Sequence, residues 1–167
     1  MEFLINLKER VKVFFIKENI YFYIFVIFIF FLDRFSKLKI VNNFNESTYY
    51  VNDFVNLNLI WNIGVGFGLL STDSVLMYNL TTLLIGLVII ILIYLFTKSK
   101  KIEKFIYSII IGGALGNFYD RLIYKAVPDF IDLHYNNFHW FTFNVADIFI
   151  TIGIILLLFK ELLIKNV

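Results

Sequence analysis

Cysteine is absent from the 167-residue chain, which excludes disulfides, iron–sulfur clusters, cysteine–zinc sites and a cysteine nucleophile. Charge is scarce as well: Asp, Glu, Lys and Arg make up 17% of the residues, whereas soluble globular proteins carry about 25%. The formal net charge of +2 is too small to suggest a nucleic-acid footprint, and the positions of the cations matter more than their sum. What fills the chain instead is apolar: 60% of it is hydrophobic and the mean hydropathy is +0.80. A soluble fold of 19.8 kDa could not hide that much apolar surface, so the composition predicts a membrane protein. The length suits a single membrane-embedded domain over residues 1–167. The 21 Phe and 10 Tyr fit lipid-facing and packing positions.

A helix needs about 20 mainly apolar residues to cross a hydrocarbon core about 30 Å thick. Four stretches qualify, at about 20–41, 77–96, 105–124 and 145–163, which predicts an all-α integral membrane protein with four transmembrane helices. Ahead of them, Phe3, Leu4, Leu7, Val11, Phe14 and Phe15 recur at helical spacing among Lys8, Arg10, Lys12 and Lys17. That pattern predicts an N-terminal amphipathic helix at the membrane surface, and it lacks a signal-peptide cleavage pattern. Between the first two spans, Tyr49 to Leu70 holds β-favouring residues and predicts a small β-rich segment.

Ten of the 15 Lys and Arg lie before the first span, in the 97–104 link or at the C-terminal end. The positive-inside rule then places both termini in the cytoplasm. All seven Asp residues fall toward the outer face, so the β-rich segment is extracytoplasmic. Ionisable groups at membrane depth cost at least a few kcal/mol, and their default explanation is function or a buried ion pair.

On the third span Gly112, Gly116 and Asp120 follow at i, i+4 and i+8, flanked by Asn117 and Arg121. The glycines read as a small-residue packing seam, and Asp120 with Arg121 as a structural ion pair. Asp129 sits in Val127-Pro128-Asp129-Phe130-Ile131 with apolar neighbours and no adjacent base, which predicts a raised pKa. Asp147 has a plain structural explanation, with Asn144 as N-cap and Asp147 at the third helical position. Two carboxylates brought together in a low-dielectric site would instead share a proton, as aspartic peptidases require. Spacing leaves Asp129, Asp120 and Asp132 as candidate partners of Asp147, and apolar surroundings favour Asp129. His134 and His139 read as loop residues, since a five-residue spacing does not place both on one helix face for a metal. The glycines of Asn62-Ile63-Gly64-Val65-Gly66-Phe67-Gly68 read equally well as turns or as backbone approach to a substrate chain.

The order of these motifs resembles the bacterial lipoprotein signal peptidase family, also called signal peptidase II. The likeness rests on Asp33-Arg34-Phe35-Ser36-Lys37, the Asn62–Gly68 block, Gly112 through Arg121, Val127 through Asp132, and Phe143-Asn144-Val145-Ala146-Asp147. It implies Asp129 and Asp147 as the catalytic pair, with Asn62, Gly64, Asn117, Arg121 and Asn144 lining the substrate site. Asp33 and Lys37 match a polar pair on the first span. Gly66 stands where Ala is usual and Pro128 where Val is usual. The resemblance further implies an enzyme of the bacterial inner membrane, without cofactor or metal, whose partners are membrane lipids and a lipid-modified prolipoprotein. That substrate would lose its signal peptide just before the cysteine bearing diacylglycerol. The rival expectation is a small proton-coupled transporter using outer-leaflet aspartates, although such transporters typically show internal repeats and acids near the midplane.

Overall fold

A computed structural model describes residues 19–43, 48–64, 74–136 and 138–164. The expected N-terminal amphipathic helix and the glycines at 66 and 68 lie outside these residues. Each of the four apolar stretches is a long helix: α1 Ile20–Asn43, α2 Val75–Lys98, α3 Lys101–Tyr124 and α4 Val145–Ile164. Of these, α2 is long and apolar enough to cross a membrane by length and composition, with a mean hydropathy of 2.7 over its most apolar window. In α1 the apolar run continues into Asp33, Arg34, Lys37 and Lys39, whereas α3 is interrupted by Asn117, Asp120 and Arg121.

Helix α3 is the hub, packing against α1, α2 and α4. Its small residues make that approach possible. A Cβ on Gly112 would lie 2.8 Å from Ile29 Cβ on α1, and one on Gly113 would lie 2.6 Å from the Ala146 carbonyl oxygen on α4. A Cβ on Gly116 would collide with Asp33 Oδ2. The seam expected from the glycine spacing is therefore real, and neighbouring faces of α3 take α1 and α4, which also touch each other. Toward the Lys98–Lys101 turn, Phe96, Tyr107 and Ile111 form a buried hydrophobic cluster, with Phe22, Tyr23 and Leu157 packed against it. Outward-facing positions such as Phe28, Phe31, Leu83, Leu84, Ile90 and Phe159 leave large apolar side chains exposed.

At the opposite end of the bundle lies a four-stranded antiparallel sheet in the order β1-β2-β3-β4. Its strands are β1 Tyr49–Asn52, β2 Val55–Asn62, β3 Val127–Tyr135 and β4 Phe138–Phe143. The first hairpin falls within the predicted β-rich segment. The second corrects the sequence reading, which treated His134 and His139 as loop residues. They are directly paired across β3 and β4, in a stretch rich in the Phe, Tyr, Trp and Thr that favour strands. Pro128 is accommodated because β4 pairing begins only at Ile131, leaving residues 127–129 paired with β2 alone. A strand segment with one unpaired side tolerates a residue that has no N–H.

Candidate active site

Five elements converge where the sheet meets the bundle. Helix α1 contributes Asp33 and Lys37, β2 ends on Asn62, α3 presents Asn117, Asp120 and Arg121, β3 carries Asp129 as its third residue, and Asn144 precedes α4, whose third residue is Asp147. Asp33, Lys37, Asp120 and Asn144 are fully buried and Asp129 is 2% exposed, whereas Asp147 is partly open.

The two carboxylates singled out by the sequence are linked through one side chain. Asn144 Nδ2 donates to Asp129 Oδ1 at 2.5 Å, while Asn144 Oδ1 accepts the Asp147 amide at 3.0 Å. The Asp147 carboxylate returns a bond by accepting the Asn144 amide at 3.2 Å. This is a reciprocal N-terminal cap, as Asn144 followed three residues later by Asp147 suggested. Its capping geometry and the coupling of the two aspartates are thus one arrangement rather than alternatives. Asp33 completes the start of α4 by accepting the Ala146 amide at 2.9 Å.

Three asparagine amides aim their Nδ2 groups at the pair, and each is oriented by a donor on its own oxygen. Asn62 donates to Asp129 Oδ2 at 2.8 Å because its Oδ1 accepts the Gly64 amide at 2.8 Å. Asn117 donates to Asp147 Oδ1 at 2.8 Å because its Oδ1 accepts from Lys37 Nζ at 2.7 Å. Asn144 is fixed by the Asp147 amide. An ammonium or backbone N–H can only donate, so the amide oxygen turns toward it and the NH2 faces the carboxylate.

Asp129 lies outside the helices, and its pKa is pushed up from 3.8 to about 6. Burial is the main cause and the charge of Asp147 the next, while the hydrogen bonds from Asn62 and Asn144 pull the other way. The upward shift matches the expectation drawn from its apolar flanks. The other two candidate partners of Asp147 are engaged elsewhere. Asp132 accepts from or pairs with His139 Nδ1 at 2.8 Å, and Asp120 pairs with Arg34 and with Lys37, the latter at 2.7 Å.

The expected Asp120–Arg121 ion pair is corrected by this geometry. Adjacent helical residues point in different directions, so Asp120 turns to α1 while Arg121 turns to the end of β2. The Arg121 guanidinium donates to the Gly64 carbonyl at 2.5 Å and to the Asn117 carbonyl at 3.3 Å. Tyr78 from α2 donates to the Arg121 carbonyl at 3.1 Å. The sequence reading also missed Arg34 and Tyr124. Their only sequence signal was an arginine inside a span, one position from Asp33.

A buried carboxylate and a partly open one, coupled through a shared amide, with the pKa of the buried one pushed up, make an aspartate-pair arrangement of the kind that can activate water and donate a proton. The comparisons with known proteins give the family. Residues 25–163 match the model described as Signal peptidase (SPase) II, and the chain belongs to that family. It is 52% identical over 146 residues to the lipoprotein signal peptidase of Pelagibacter ubique, covering 86% of this chain and 87% of that one. It is 36% identical over 157 residues to that of Francisella tularensis subsp. novicida, covering 90% and 97%. Among solved structures, a bacterial membrane enzyme determined by the in meso method at 2.3 Å superposes with a TM-score of 0.75 at 28% identity, over 84% of this chain and 87% of that one. A second such structure, at 1.9 Å, gives 0.73 over 84% and 92%.

Proposed function

We propose that the chain is a membrane-embedded aspartic endopeptidase that removes the signal peptide from diacylglyceryl-modified prolipoproteins, cleaving before the lipidated cysteine, with Asp129 and Asp147 as its catalytic pair. The observation that carries this reading is Asn144, whose one side chain holds both carboxylates. Asp147, the more open of the two, takes a proton from water as the water oxygen attacks the scissile carbonyl carbon. Asp129, which keeps its proton to higher pH, donates it to the carbonyl oxygen. Collapse of the tetrahedral intermediate breaks the C–N bond as Asp147 passes the proton taken from water to the departing amine of the cysteine and Asp129 takes back a proton from the hydroxyl that becomes the carboxyl carbonyl, restoring the pair.

Asn62, Asn117, Asn144 and Arg121 line this site and preorganise it. Gly64 spends its N–H on Asn62 and its carbonyl on Arg121, so its contribution to the substrate is the room left by a missing side chain. Asp33, Lys37 and Asp120 support the constellation from behind.

The four helices are read as transmembrane segments of one domain in the bacterial inner membrane, with both termini cytoplasmic and the site near the outer leaflet. The lysine-rich Lys98–Lys104 end supports that orientation, as does the sheet at the other end, with Phe54, Tyr135, Phe138 and Trp140 exposed around an apolar cavity of about 490 Å³. A substrate anchored by acyl chains diffuses in the bilayer and meets the carboxylates at headgroup depth. The test is incubation of the purified protein in detergent with a lipidated prolipoprotein. Release of the signal peptide with a new N-terminus at the modified cysteine is expected, and no cleavage, or cleavage elsewhere in the chain, would refute the assignment.

A further inference from the structure

Behind the aspartate pair lies a sealed set of four charges: Asp33, Arg34 and Lys37 on α1 and Asp120 on α3, all buried. Two carboxylates and two cations leave the set formally neutral. The Lys37 ammonium donates to Asp33 Oδ2 and to Asn117 Oδ1, each at 2.7 Å, and forms an ion pair with Asp120 Oδ2 at 2.7 Å without a hydrogen bond to it. The bond to Asn117 therefore competes with two anions for one ammonium. Arg34 relieves that competition by taking the other oxygen of Asp120. Its guanidinium is held there by the Tyr124 hydroxyl at 3.3 Å and by the face of Tyr119, 4.7 Å from the ring centre.

We propose that Arg34 is a positioning residue for the peptidase: by neutralising Asp120 it lets Lys37 divide between two carboxylates and still hold the Asn117 amide turned toward Asp147. Arg34 does not act on substrate, since its own partners are Asp120, Tyr119 and Tyr124. It acts through Lys37 and Asn117 and through the balance of charge behind the pair. The charged groups around Asp129 and Asp147 are Asp33, Arg34 and Lys37 from α1 and Asp120 and Arg121 from α3. Helix α2 adds the Tyr78 hydroxyl and β2 the neutral Asn62. Further along the sheet, Asp132 is paired with His139 of β4. Among them, loss of Arg34 alone leaves the buried set with one excess negative charge, and loss of Asp120 alone leaves it with one excess positive charge.

This inference rests on the assignment of Asp147 to the catalytic pair, and the experiment separates the two. Arg34→Gln, Asp120→Asn and the double variant are compared with wild type for folded yield in detergent, kcat, KM and the pH–rate profile on a lipidated prolipoprotein. Arg34→Gln is expected to lower kcat roughly tenfold or more with KM little changed, and to move the profile to higher pH by about half a unit or more. Asp120→Asn should move it to lower pH, and the neutral double variant should return toward wild type with higher kcat than Arg34→Gln. If the single variants fold poorly, recovery of folded protein in the double variant supports charge balance, and its absence overturns it. Arg34→Gln with wild-type kcat and profile, or losses that simply add in the double variant, also overturns it. A wild type that fails to cleave overturns the peptidase assignment, whereas a wild type that cleaves no better than Arg34→Gln overturns this inference alone.

Discussion

Asn144 donates to Asp129 at 2.5 Å from the residue immediately before α4, so the cap of a helix and the orientation of a buried carboxylate are set by the same amide. Replacing Asn144 by Ala should therefore do two things. Loss of the cap costs about 1 kcal/mol of stability, seen as a lower unfolding midpoint. Loss of the link between Asp129 and Asp147 lowers kcat on the order of a hundredfold, more than the stability change accounts for. Equal small losses in both quantities would mean that the amide serves only the helix.

The raised pKa of Asp129 makes a prediction for stability with a definite sign. An acid whose folded-state pKa is about 6 and whose ordinary value is 3.8 binds its proton more tightly when folded. Stability from this group is fully present below 3.8, falls as pH rises toward about 6, and changes no further above that. Asp129→Asn removes the titrating group and should flatten that part of the stability curve, measured by thermal unfolding in detergent across the window. The same proton governs the rate. The pair should be active with one proton shared, so cleavage declines at low pH when both carboxyls are protonated and at high pH when the second proton leaves.

Much of this was legible in the sequence, and the parts that were not share a cause. The helices were readable because apolar runs of about 20 residues report directly on length and environment. The upward pKa shift of Asp129 was readable because Val127 and Phe130, beside it in sequence, are buried with it where the sheet meets the bundle. Asp120 was misread because adjacency to Arg121 says nothing about direction, and its true partners lie more than 80 residues away on α1. The β3–β4 hairpin was missed for a related reason. Its residues alternate poorly between apolar and polar, since Val127, Pro128, Asp129 and Phe130 are all buried where the sheet meets the bundle. Arg34 could be placed only once α1 and α3 were packed together.

Topology follows from the lysines. Alkaline phosphatase fused after Val167 or within Lys98–Lys104 should be inactive, and a fusion at Asn52–Asp53, in the turn between β1 and β2, should be active. Active enzyme at the C-terminus would invert the orientation and with it the outer-leaflet position of the aspartates.

His139 is expected to support the sheet rather than the chemistry. His139→Ala leaves Asp132, 4% exposed, without its 2.8 Å partner and should lower the unfolding midpoint. Cleavage should persist in that variant and in His134→Ala, and chelators and thiol reagents should leave the rate unchanged. Activity lost to a chelator and restored by zinc would contradict an aspartate mechanism.

The central claim, that Asp129 and Asp147 perform the cleavage together, is tested most directly by measuring signal-peptide release from a lipidated prolipoprotein by Asp129→Asn and Asp147→Asn protein, each first shown to be folded and monodisperse in detergent. Each variant should lose at least about a thousandfold in kcat, because an amide can neither take the proton from water nor return it to the carbonyl oxygen. Near-normal release by folded Asp129→Asn protein, together with complete loss in a stable Asp120→Asn variant, would contradict the account and move the pair to Asp120 and Asp147.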